Sequence, residues 1–116
     1  RKPRPDPHAD AHLGAVDAAL CGARAALREC AGWIDEHPAH DAALPVQRTR
    51  AQVEQAVTQV IGHVGRALGA TPYCHNGHFA RLSADLPVYL RQSHAERDLA
   101  ALGQQLAQIP AGAWQL

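Results

Sequence analysis

The chain has 116 residues and a mass of 12.4 kDa, with 47% hydrophobic but only 4% aromatic residues and 11 basic against 11 acidic side chains. Its length fits one domain with a single core. Balanced charge and a pI of about 7.3 lack the basic footprint of a nucleic-acid or anionic-membrane binder.

No apolar run approaches the ~20 residues of a membrane span, and no signal-peptide pattern opens the chain. The three cysteines, Cys21, Cys30 and Cys74, show no CxxC spacing, which favours free thiols and a reducing, cytoplasmic setting. The sequence contains no methionine and opens on a proline-rich run. It therefore reads as a piece of something longer, entered through a linker-like segment. Alternating strand patterns are nearly absent and alanine, the best helix former, is abundant, so the expected class is all-α.

In chain order, residues 1–8 read as a tether. A long helix follows, started by Asp6 as N-cap and Pro7 at the first helical position. Leu13, Val16, Leu20, Ala23, Leu27, Cys30 or Ala31, and Ile34 recur at steps of three and four, marking one apolar face. Two prolines in the run from His37 to Pro45, with a turn at Asp41, break the helix. A second helix is predicted from Pro45 to Leu68. Its stripe comprises Val46, Thr49, Val53, Ala56 or Val57, Val60, Val64 and Leu68, and Gly69 is its C-terminal stop. Gly62 and Gly65 lie inside it. Each costs ~1 kcal/mol relative to alanine, which points to close approach by a neighbouring helix or a ligand.

Residues 70–75 read as a loop. Asn76 is placed to cap a third helix carrying Phe79, Leu82 and Leu86. Pro87 either kinks that helix or starts a fourth, running to about Gln108 with Leu99, Leu102 and Leu106 on its apolar side. Two long and two shorter helices predict an antiparallel up-down four-helix bundle over residues 9–110, with 111–116 as a tail.

Several chemistries lack their pattern. His8 and His12 stand at i, i+4, and Cys74-His75-x-x-His78 clusters soft ligands, but no further pair completes a four-ligand set, so no metal is expected. The Glu-x-x-His pairs of a di-iron bundle are missing. There is no Gly-x-Ser-x-Gly, and the glycines do not make a phosphate loop. Cys21 and Cys30 fall on or near the apolar stripe, where cysteine acts as a small hydrophobe. The run Tyr89 to Asp98 is the densest in hydrogen-bonding groups. It reads either as a solvated helix face, with pairs such as Arg91 with His94 and His94 with Asp98, or as Arg91, Gln92 and His94 aimed at a polar ligand near a helix N-terminus.

Two long helices are followed by Val64-Gly-Arg-Ala-Leu-Gly69, then by Arg81, by Ala84-Asp-Leu86, and by Arg91-Gln-Ser-His-Ala-Glu96. This order resembles the C-terminal helical domain of acyl-CoA dehydrogenases and their flavin-dependent relatives. Gly69 aligns near that family's glycine turn and Asp85 near its Arg-Asp-Ala aspartate. Gln92 to Glu96 fall on its Glu-Gly-Thr-x-Glu motif. The resemblance implies a domain of a longer FAD-dependent oxidoreductase, usually a homo-oligomer. Such a domain contributes to subunit assembly and to one wall of a flavin and acyl-thioester site, without turnover when isolated. It assigns flavin contact to Gly69, Arg91, Gln92, His94 and Glu96.

Gln92, however, stands where the family's catalytic glutamate would be, and a neutral amide cannot abstract a proton. The catalytic residue is thereby left unassigned. Asp10 or Asp17 on the first helix would be distant substitutes, or an oxygenating relative would use His94 as an acid. Ala70 also replaces a glycine in the turn. The alternative expectation is a non-catalytic helical module for protein–protein association or oligomerisation.

Overall fold

A computed structural model describes residues 6–92 and 95–110, which form five helices and no strand. These are α1 (Pro7–Glu36), α2 (Ala43–Leu68), α3 (Thr71–His75), α4 (Gly77–Leu90) and α5 (Ala95–Ala107). The all-α expectation, with four substantial helices, is borne out. The tether and the tail fall largely on residues 1–5 and 111–116, outside the described residues. The first helix already begins at Pro7.

Local chemistry sets the helix ends. The Asp6 carboxylate accepts the His8 N–H at 3.0 Å, with Pro7 behind it at the first helical position, so an orphan donor of the first turn is satisfied as the sequence predicted. At the other end His37 stacks on Trp33, with ring centroids 4.5 Å apart. The His37 N–H bonds the carbonyls of Trp33 and Ile34. Asp41 accepts the Ala43 N–H at 2.9 Å, so α2 starts two residues before Pro45. Gly69 closes α2 with φ of 69°, a backbone state that a side chain strains, and its N–H bonds the Gly65 carbonyl at 3.0 Å.

Two boundaries differ from the sequence reading. Residues 71–75 form one helical turn rather than a loop, with Pro72 in its first positions, where a missing N–H costs nothing. Asn76 caps α4 by accepting the Phe79 N–H at 3.0 Å, as expected, but α4 runs through Pro87 to Leu90. Proline cannot donate to the carbonyl four residues back, and α4 continues only three residues beyond it. Pro87 thus lies inside α4, which ends at Leu90, and the last helix starts at Ala95 rather than at Pro87.

Packing is organised around α2. Helix α1 runs antiparallel along it, bringing His12 to His63 at one end and Gly22 to Gln52 further along. Helices α4 and α5 also pack on α2, and α3 packs on α4. On α2, the residues turned to α1 include Gln52, Ala56 and His63. Those turned to α5 include Arg50, Glu54 and Thr58. At roughly 100° per residue these sets lie about half a turn apart. The helices are therefore layered, with α2 in the middle, and the molecule extends 56 Å along its longest axis.

The core is small. Ala19, Ala23 and Ala56 form it, with Val53 and Val60 against them, and Ala56 is only 2% exposed. Small side chains let α1 and α2 approach closely. From α1 to its C-cap the half-buried or buried positions are His12, Ala15, Val16, Ala19, Gly22, Ala23, Ala26, Cys30, Trp33 and His37. Apart from Ala15 and Gly22, which widen the stripe on one side, they are spaced alternately by four and three, a heptad pattern. The apolar face read from the sequence therefore divides in two. Val16, Ala23 and Cys30 turn towards α2, whereas Leu13, Leu20, Leu27 and Ile34 turn outwards.

Candidate functional site

The outward column is the most distinctive surface. Leu13, Leu20, Leu27 and Ile34 are 69%, 53%, 53% and 40% exposed, and they repeat at intervals of seven residues. Each follows one inner column (His12, Ala19, Ala26, Trp33) by a single residue, roughly 100° around the helix. Each precedes the other (Val16, Ala23, Cys30, His37) by three, roughly 60° away. The leucines thus flank the α1–α2 seam. Large exposed apolar side chains aligned on one face point to an interaction surface more than singly scattered ones do.

The residues singled out in the sequence lie elsewhere. Arg91 and Glu96 line a groove of about 530 Å³ between α2 and the α4–α5 turn, together with Arg50, Glu54, Asp98 and Leu99. Arg91 Nη1 lies 3.6 Å from Glu54 Oε1, with the arginine side chain 62% exposed and the glutamate 24%. Gln92 is exposed in the same turn, and His94 lies outside the described residues. Gly69 ends α2, 15 residues beyond Glu54 or roughly 22 Å along the helix. The groove therefore gathers Arg91 and Glu96, with Gln92 beside it, but not Gly69.

Other sequence candidates resolve individually. Cys30 is buried as expected, whereas Cys21 is exposed, its sulfur 3.7 Å from Arg24 Nη2. Cys21 is two residues from Ala23 and so lies on the opposite side of the helix from the seam. Gly65 meets a neighbour: a Cβ there would lie 2.8 Å from the Tyr73 hydroxyl, whereas one at Gly62 would meet only the Arg66 guanidinium at 3.8 Å. His12 pairs with His63, the two Nδ1 atoms 3.0 Å apart, and Arg66 Nη2 lies 3.3 Å from the same His63 nitrogen. Among the described residues no three His, Cys, Asp or Glu side chains converge on a metal-sized point, and no helix is long and apolar enough to cross a membrane.

The sequence reading missed the separation of the leucine column from the core. Its signal was present in the strict seven-residue spacing of the large aliphatics, beside a second column of small residues. Comparison with protein-family models, with curated proteins and with solved structures gives no match to this chain.

Proposed function

We propose that this chain is a helical association module that packs the outward face of α1 against another protein surface. The observation that carries the reading is the exposed column Leu13, Leu20, Leu27 and Ile34. An alanine core closes α1 onto α2 and leaves the large aliphatic side chains, the usual source of burial energy, on the outside. Leu20→Glu and Leu27→Glu in the native protein test it. Both are expected to lower the mass of its native complex in source cells while the purified variants keep their helicity. An unchanged complex in both variants would remove the reading.

A second reading keeps the resemblance to acyl-CoA dehydrogenase C-terminal domains and is supported by the groove that gathers Arg91 and Glu96. In it the chain supplies part of one wall of an FAD and acyl-thioester site completed by other domains or subunits. Flavin absorbance of the native protein tests it. A yellow chromophore whose occupancy falls in Arg91→Ala supports this reading, and a colourless native protein rules it out.

A further inference from the structure

Resting on the association reading, we infer that the surface covering the leucine column is the same column of a second copy, laid antiparallel. Helix α1 carries a heptad seam filled by α2 and, beside it, a single outer column of Leu13, Leu20, Leu27 and Ile34, bordered on its far side by Asp10, Asp17, Arg24 and Ala31. A seven-residue repeat kept through four turns of the pattern holds an apolar stripe on one side of a supercoiled pair, where an isolated straight helix would let it drift. Helices α4 and α5 pack on the opposite side of α2, so no helix among the described residues covers this outer column.

Charge selects the partner and its direction. Asp10 and Asp17 precede Arg24 along the one column that borders the leucines away from α2, and all three are exposed. A parallel copy would set Asp17 beside Asp17 and Arg24 beside Arg24. An antiparallel copy sets Asp17 beside Arg24 twice, related by a two-fold axis, as an isologous interface requires. The pattern is complementary to itself in one orientation and repulsive in the other.

At 1.5 Å per residue α1 is roughly 45 Å long, so two copies side by side offer a seam of several heptads.

The test is sedimentation equilibrium of the purified 116-residue chain between micromolar and millimolar concentration, with circular dichroism on every variant. The wild type is expected at twice 12.4 kDa. Leu20→Glu is expected to weaken dimerisation ~100-fold, because an unpaired charge enters the seam. Asp17→Arg alone and Arg24→Asp alone are each expected to weaken it ~10-fold, and the double exchange to restore it. A helical wild type that stays monomeric overturns the second-copy inference. If the native complex still loses mass in the Leu20→Glu variant, the association reading survives with a different occupant. Should a dimer form that is indifferent to Leu20→Glu and Leu27→Glu, this face is not its interface. Failure of the double exchange to rescue the single ones overturns the antiparallel arrangement.

Discussion

The hydroxyl of Tyr73 lies over the backbone of Gly65, so close that a Cβ on Gly65 would come within 2.8 Å of it. Tyr73 is held there by its ring, which meets Phe79 edge to face at a centroid distance of 5.0 Å. The short helix α3 is thus anchored to the last turns of α2 at a point where only glycine fits without displacement.

A contrast between two glycines of one helix follows. Gly62→Ala gains helix propensity with no obstruction and should raise stability by ~1 kcal/mol. Gly65→Ala gains the same propensity but must displace Tyr73, so its net effect on stability should be smaller than that of Gly62→Ala. Its signature should be local, with changed amide and ring chemical shifts in residues 71–79 and little change in α1. Urea denaturation and two-dimensional NMR of the two variants check this. Equal stabilisation with unchanged Tyr73 resonances would show that the contact constrains nothing.

The alanine seam tolerates little enlargement. Ala56 faces Ala19 and Ala23 at the centre of the core, and three additional carbons there must push α1 away from α2. Ala56→Leu should destabilise by ~1–3 kcal/mol, measured as a drop in the urea midpoint, despite leucine's good helix propensity. The same side chain removed from the outer column, as in Leu20→Ala, should cost the monomer ~0.5 kcal/mol or less, the range of surface substitutions away from the core.

His12 and His63 share a hydrogen bond across the helix pair, one ring donating and the other accepting over 3.0 Å. A double-mutant cycle with His12→Ala and His63→Ala should return a coupling of ~0.5–1.5 kcal/mol. Arg91 and Glu54 form the contrasting case. With the arginine side chain mostly in solvent, Arg91→Ala should change stability by no more than ~0.5 kcal/mol. Thermal or urea unfolding of each variant separates a coupled half-buried pair from a solvent-screened surface pair.

Much of the fold was legible because its signals are local. Asp6, Asn76 and Gly69 end helices through bonds or backbone states within a few residues of themselves, and such chemistry can be read one segment at a time. The division of α1 into two columns was not legible in the same way. Periods of 3.5 and 3.6 are indistinguishable over a few turns, and a leucine looks more core-like than an alanine. Which column turns inwards was decided by α2, whose Ala56 offers room for Ala19 and Ala23 at close range. Pro87 left two readings open because proline also suits the first position of a helix, whereas here it lies inside α4, three residues before its end. As for the groove, the sequence had Arg91 and Glu96 close together in the chain. Glu54, which approaches Arg91 at 3.6 Å, is 37 positions away and carried no motif.

The placement of α2 between its neighbours also bears on how quickly the chain finds its structure. Helices α1 and α2 are adjacent in sequence, joined by a short turn, and α3 to α5 return to the helix they have just left. No strand has to wait for a remote partner among the described residues, and most contacts join segments close along the chain. Topologies of this kind fold in microseconds to milliseconds. The α1–α2 hairpin can therefore close on contacts within residues 7–68, without waiting for the segments that pack on its other side.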